Sequence, residues 1–89
     1  MNISVEISNY PLNEVYVAPI KDFIDRLAAN KAIRISCNTM STQIFGEHDV
    51  VMRILSNEMK SSFERFGKMI FVCKFINSDL DPVLNPHND

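Results

Sequence analysis

The spacing of apolar residues changes repeatedly along this chain, and the order of these changes strongly limits its possible folds. Ile3 to Ser8 alternate apolar and polar residues, which is typical of a half-buried strand. A helical spacing follows from about Ala18 to Asn30, and two consecutive strand patterns come next, over 32–38 and 41–46. A second helical stretch covers about 47–66, and an apolar strand covers 69–77. The spacing therefore predicts the order strand, helix, strand, strand, helix, strand.

Two strand–helix–strand units joined by a hairpin predict one fold class. Such crossover connections are right-handed, and two of them joined in this way give the split βαβ, or ferredoxin-like, sandwich. We therefore expect an α+β fold of order βαββαβ, with a four-stranded antiparallel sheet and both helices on one face. The first and third strands lie in the centre and the other two form the edges. Cys37 and Cys73 then fall on opposite edges, too far apart for a disulfide.

Length and charge limit the classes of partner. The 89 residues have room for one domain, assigned to 1–78. Residues 79–89 contain two prolines and no periodic pattern, so we expect an extended or disordered tail. The net charge of -2 argues against a nucleic-acid interface, which needs a concentrated basic surface. No apolar run approaches the ~20 residues of a membrane span, so we expect no membrane partner and a cytoplasmic location.

The chain carries little that predicts catalysis or metal binding. Its two cysteines lack a CxxC spacing, and its only glycines, Gly46 and Gly67, form no phosphate-binding loop. Glu47, His48 and Asp49 are consecutive at the start of the second helix, where side chains fan out instead of converging on one ion. Helix capping explains these three residues better. We therefore expect no enzyme activity, no metal and no cofactor.

Polar side chains on the two central strands form the candidate ligand site. By strand parity, the residues of these strands on the helix-free face are Ser4, Glu6, Ser8, Ser41, Gln43 and Phe45. A carboxylate only accepts hydrogen bonds, whereas an amide both donates and accepts them. Glu6 together with Gln43 therefore suits a flat heterocycle that carries an amino group beside ring nitrogens.

The same face is predicted to be an interface between subunits. An open sheet cannot enclose a small ligand, since ligand sites are usually concave and largely buried. Ile70, Val72 and Ile76 are predicted to be exposed on this face, and they indicate contact with a second subunit. We therefore expect a homodimer or homotetramer in which the second subunit completes the site. The alternative is a plain dimer interface in which Glu6 and Lys74 pair across neighbouring strands.

A resemblance to a known family rests mainly on the segment Asn38-Thr39-Met40-Ser41-Thr42-Gln43-Ile44-Phe45-Gly46-Glu47, followed by Asp49 and Met52. This segment resembles the signature of the YkoF-like thiamin-binding family. With weaker similarity elsewhere, the resemblance covers about Ile3 to Ile76. The resemblance implies a ferredoxin-like fold, assembly through packed sheets, and binding of thiamin or its hydroxymethylpyrimidine part without catalysis. Some members carry two such repeats, and this chain carries one, which implies that it must dimerise if the site needs two.

Their positions in the family motif imply that four residues bind the ligand: Asn38, Ser41, Thr42 and Gln43. Strand parity adds Glu6 to this set. Parity alone places Thr42 on the core side of its strand. The predicted function is non-catalytic binding of thiamin or its hydroxymethylpyrimidine moiety. The alternative is a regulatory or oligomerisation module that binds an amino acid or a protein partner.

Overall fold

The computed structural model describes residues 1–38 and 41–84, and these residues adopt the predicted ferredoxin-like fold. The elements follow one another as β1 (Asn2–Pro11), α1 (Val17–Ala28), β2 (Arg34–Cys37), β3 (Thr42–Glu47), α2 (His48–Phe66) and β4 (Met69–Ile76). The strands form one antiparallel sheet in the order β2-β3-β1-β4, and both helices pack on one of its faces. The predicted central and edge strands are confirmed, and Cys37 and Cys73 are free thiols on opposite edges.

The alternation of β1 produces the core. Ile3, Val5 and Ile7 are buried beneath the helices, where they join Phe23 and Leu27 of α1. Burial of an aliphatic or aromatic side chain of this size contributes about 1.5–3 kcal/mol. A register shift of one residue would turn the three β1 side chains away from the core, so their burial fixes the strand pairing.

β1 is longer than the sequence predicts. Asparagine and proline favour turns, so the sequence predicts that the strand ends at Ser8, but Asn9, Tyr10 and Pro11 pair with residues 69–71 of β4. Proline is tolerated here because it is the last residue of the strand. The extension matters because it fixes Asn9 within the sheet, on the same face as Ile7.

The ends of the helices differ in how well they were predicted. Asparagine tolerates the left-handed conformation that often ends a helix, which predicts a left-handed cap at Asn30. This prediction is wrong, because no residue other than glycine has a positive φ in the described residues. The Asn30 amide instead donates to the carbonyl of Arg26 at 3.0 Å. Capping of α2 is confirmed, since the Glu47 carboxylate accepts from the N–H groups of Asp49 and Val50. Gly67 follows α2 with a φ of 81° and a ψ of -150°, so its φ is positive as glycine permits, but it is not in the predicted left-handed helical conformation.

An ion-pair network joins α1 to α2. Arg26 donates to the carboxylates of Asp22 (2.8 Å) and Glu58 (2.7 Å) and to the hydroxyl of Ser62. Ser62 is fully buried, and the three charged side chains are about one-fifth exposed. Ion pairs at such depth are screened less by salt than surface pairs are.

Neither helix of the described residues is long and apolar enough to cross a membrane.

The segment after β4, residues 77–84 and here called the strap, lies on the helix-free face of the sheet. The Ser4 hydroxyl donates to the Ser78 carbonyl at 2.6 Å and accepts from the Leu80 N–H at 2.8 Å. Arg34 of β2 contacts the carboxylates of Asp79 (2.7 Å) and Asp81 (3.3 Å). The predicted domain boundary at residue 78 therefore falls within a segment that is bound to the sheet, and residues 85–89 of the predicted tail lie outside the described residues.

The strap covers one end of the helix-free face. Phe45 lies between Ser4 and Arg34 in the strand register, and both of these residues bind the strap. The Phe45 side chain is only 1% exposed although it points away from the helices. At the other end of the face, Ile70 and Val72 are each 49% exposed.

Candidate functional site

The structure separates the five predicted ligand residues into two places. Glu6 and Gln43 are direct cross-strand partners on the helix-free face, as parity predicts. Asn38 and Thr42 line a cleft on the helix side of the sheet, and Ser41 lines it as well. The Ser41 hydroxyl also donates to the Glu6 carboxylate at 3.2 Å, so it connects the two places. Thr39 and Met40 of the motif lie outside the described residues.

The cleft, here called the hairpin cleft, lies where β1 ends beside α1 and the β2–β3 hairpin. Its volume is about 190 Å³. An apolar cavity of about 150 Å³ can hold benzene, so the cleft has room for one six-membered ring. Its lining residues come from three elements: Ile7, Ser8, Asn9 and Tyr10 from β1; Ile20, Phe23 and Ile24 from α1; and Cys37, Asn38, Ser41 and Thr42 from the hairpin.

Local sequence explains this lining. Strand parity directs Ile7 and Asn9 of β1 towards the helices. Ile20 and Ile24 are four residues apart on α1 and therefore lie side by side on one helix face. The polar rim of the hairpin is held by two hydrogen bonds, from the Asn38 N–H to the Ser41 carbonyl (3.0 Å) and from the Ser41 N–H to the Asn38 side-chain oxygen (2.9 Å).

Asn9 has an unusual environment in this cleft. Within residues 1–38 and 41–84, it is the residue whose buried side-chain nitrogen and oxygen both lack a hydrogen-bond partner. Leaving such a group unpaired costs about 1–3 kcal/mol, and buried polar groups in proteins are normally paired. The amide therefore has unused hydrogen-bonding capacity beside the cleft, which its neighbours among the described residues do not satisfy.

Sequence reasoning did not include Asn9 among the site residues, because asparagine before Tyr10-Pro11 is typical of a turn. The signal that identifies it is parity. Position 9 continues the series Ile3, Val5 and Ile7, which places its amide on the core side if the strand continues.

The helix-free face holds a second concavity of about 240 Å³, here called the strap pocket because Leu80 of the strap forms one wall. Its polar residues are Glu6, Gln43 and Lys74, and the Lys74 ammonium lies 3.6 Å from the Glu6 carboxylate. The predicted pair of Glu6 and Lys74 is thus present within one chain.

Two ionisable groups near these sites, Asp79 and Cys73, have pKa values shifted by their surroundings. The hydrogen bond from Arg34 lowers the pKa of Asp79, with the backbone N–H of Asp81 acting in the same direction. Burial raises the pKa of the Cys73 thiol. The Cys37 thiol is exposed and lines the hairpin cleft, so the two cysteines differ in accessibility.

Comparison with known proteins identifies the fold. No protein-family model matches the chain, and no curated protein matches it. Among solved structures, protein SP2199 from Streptococcus pneumoniae is similar at 19% identity and a TM-score of 0.83, with 100% of both chains covered. A proposed thiamine biosynthesis/salvage protein from Thermotoga maritima is similar at 11% identity and a TM-score of 0.82, with 98% of this chain and 99% of that chain covered.

A domain of unknown function, DUF77, from Bacillus cereus is also similar, at 14% identity and a TM-score of 0.74. The matched region spans 90% of this chain and 79% of the Bacillus domain. At these identities the likeness establishes the shared fold.

Proposed function

We propose that this protein binds a 4-aminopyrimidine ring, as found in thiamin and its hydroxymethylpyrimidine moiety, in the hairpin cleft. It acts as a cytoplasmic binding protein, without catalysis and without a metal or cofactor. The observation that carries this proposal is the unpaired, buried amide of Asn9 at the edge of a cleft with room for one ring.

The amide matches the amino edge of the ring. A 4-aminopyrimidine presents an amino N–H beside a ring nitrogen, which is a donor next to an acceptor. Asparagine binds the same pair on adenine with two hydrogen bonds, its oxygen accepting from the amino group and its nitrogen donating to the ring nitrogen. After a rotation of its side chain, Asn9 binds the ligand in this way. The two hydrogen bonds then remove the free-energy penalty of its unpaired nitrogen and oxygen.

The other cleft residues complete the contact. Phe23 and Ile24 of α1 provide an apolar surface for the ring. Asn38, Ser41 and Thr42 provide polar groups for the substituents, in agreement with the motif resemblance. The thiamine-related neighbour of the same fold supports this ligand class.

Glu6 and Gln43 take different roles from those first predicted for them. Glu6 accepts from the Ser41 hydroxyl and positions it, without touching a ring in the cleft. Gln43 lies on the opposite face of the sheet, so one ring cannot contact both Gln43 and Thr42.

The proposed assembly is a homodimer or homotetramer that buries the uncovered end of the helix-free face. Ile70 and Val72 are half exposed there, and exposed apolar patches of this kind favour association. Val72→Glu should shift the assembly to monomer in light scattering, since it places a charge at the centre of the contact. Unchanged mass would exclude this face as the interface.

The proposal is tested with ligand binding to two amide variants. Hydroxymethylpyrimidine and thiamin should raise the melting temperature of the wild-type protein, because stabilisation follows RT ln(1 + [L]/Kd). Asn9→Leu should lose this shift and the calorimetric binding signal. Gln43→Leu removes an amide from the other face and should retain both. Binding that survives in Asn9→Leu, or no wild-type shift at millimolar ligand, would refute the proposal.

A further inference from the structure

A row of four polar side chains crosses the helix-free face from edge to edge. The register pairs Ser36 with Gln43, Gln43 with Glu6, and Glu6 with Lys74. The row therefore places an amide, a carboxylate and an ammonium side by side on β3, β1 and β4. Neighbouring strands are about 4.8 Å apart, which sets the spacing of these groups.

The strap pocket borders this row with an apolar wall. Phe45, Ile76 and Leu80 line the pocket beside the polar groups, and the strap is held in place through Ser4 and Arg34. The pocket therefore combines two opposite charges with an apolar surface, in a volume of about 240 Å³.

The polar groups of the row remain available to a ligand. The Gln43 amide is half-buried and forms no side-chain hydrogen bond with residues 1–38 or 41–84. The pair between Glu6 and Lys74 is loose at 3.6 Å, and the Lys74 side chain is 80% exposed. Exposed pairs of this kind contribute little stability, so a ligand can insert between the two charges.

We propose that the strap pocket is a second binding site, for an α-amino acid with an aliphatic side chain. The ammonium of the amino acid donates to the Glu6 carboxylate and the Gln43 amide oxygen, and its carboxylate accepts from Lys74. The two charged groups of an α-amino acid are attached to one carbon, so they span less than the ~4.8 Å between strands. The aliphatic side chain packs against Ile76 and Leu80.

Charge complementarity favours a zwitterion over other small ligands. An anion would pair with Lys74 but approach the Glu6 carboxylate, and a cation would meet the reverse problem. A second copy of the chain is disfavoured at this end of the face, because the strap already occupies the surface above Ser4 and Phe45. The site lies on the opposite side of the sheet from the hairpin cleft, and the hydrogen bond from Ser41 to Glu6 links the two.

The test uses the full chain and L-leucine as the probe, with binding followed by NMR titration and calorimetry. Leucine should perturb the amide signals of Gln43, Lys74 and Leu80. N-acetyl-L-leucine lacks the ammonium and L-leucinamide lacks the carboxylate, so each should bind more weakly, by up to about fivefold. Lys74→Gln should weaken leucine binding to a similar degree, whereas Lys68→Gln, a lysine outside the pocket, should not.

Asn9→Leu separates this proposal from the pyrimidine proposal, because it should leave leucine binding unchanged while removing pyrimidine binding. Gln43→Leu should do the opposite. No leucine binding to the wild-type protein, binding of the two blocked analogues as tight as that of leucine, or signal changes confined to the hairpin cleft would each overturn the second site.

Discussion

Ser4 and Asn9 are polar side chains on the same strand, and their surroundings differ completely. Ser4 points to the helix-free face, where its hydroxyl both donates to and accepts from the strap. Asn9 points to the helix side, where its buried amide has no partner among the described residues. The chain itself satisfies the first group, which therefore contributes to stability. It leaves the second unsatisfied, which is the state expected of a group that binds a ligand.

The largest effect is expected at Ser4. Ser4→Ala removes the hydrogen bonds to the Ser78 carbonyl and the Leu80 N–H, and each such bond contributes about 0.5–1.5 kcal/mol net. Urea unfolding should therefore show a lower free energy of unfolding. Ser8→Ala is the matched control, since Ser8 lies on the same strand and face without a side-chain hydrogen bond to the described residues, and it should change little. If both variants lost the same free energy of unfolding, the hydrogen bonds between Ser4 and the strap would contribute nothing to stability.

A substitution at Asn9 is expected to change the free energy of unfolding in the opposite direction. Asn9→Leu removes an unpaired buried amide, so the unliganded protein should be as stable as the wild type or more stable, by up to about 1 kcal/mol. The same unfolding experiment measures this. A loss of more than about 1 kcal/mol would show that the amide has a partner within the folded chain, and the contrast with Ser4 would disappear.

Acid should release the strap before it unfolds the sheet. Asp79 has a lowered pKa because Arg34 donates to it, so the folded state binds fewer protons than the unfolded state. The stabilisation is complete above the ordinary value of 3.8 and is lost as the pH falls from there through the lowered pKa. Hydrogen exchange at the Leu80 amide should accelerate in this pH range relative to core amides. Arg34→Gln should remove this dependence, and an unchanged profile would exclude the ion pair as its cause.

The smallest effect is a difference in thiol reactivity, and it reports on the cleft directly. Cys37 is exposed, whereas Cys73 is half-buried with a raised pKa, and the thiolate is the reactive form. Iodoacetamide should therefore modify Cys37 first, as mass spectrometry of the digested protein can show. Hydroxymethylpyrimidine should slow the reaction at Cys37 and leave Cys73 unaffected. Equal slowing at both cysteines would indicate general stabilisation instead of occupancy of the cleft.

Most of the fold could be predicted from periodicity, because each apolar stripe has one way to be buried. The alternation of β1 and the order of six elements suffice for the topology, and parity correctly pairs Glu6 with Gln43. Element ends were harder, since they depend on tertiary pairing. Asn9 and Pro11 look like a turn until β4 pairs with them.

The candidate site was predictable only in part. Parity assigns a side chain to a face but does not show which residues from distant elements meet at an edge of the sheet. Motif position grouped Asn38 and Thr42 with Gln43, although parity places Thr42 on the core side, and α1 forms a cleft with Asn38 and Thr42 on that side. The attachment of the strap was also not predictable, because it rests on single contacts of Ser4 and Arg34 with a segment that has no periodic pattern.

The Arg26 network has a consequence for how a ligand enters. α1 forms one wall of the hairpin cleft, and Arg26 fastens this helix to Glu58 and Ser62 of α2. If α1 moved to widen the entrance, either α2 would move with it or the contacts of Arg26 with Glu58 and Ser62 would break. Under the proposed function, the α1 wall of the cleft therefore stays in place when the ligand binds, which reduces the conformational entropy lost on binding.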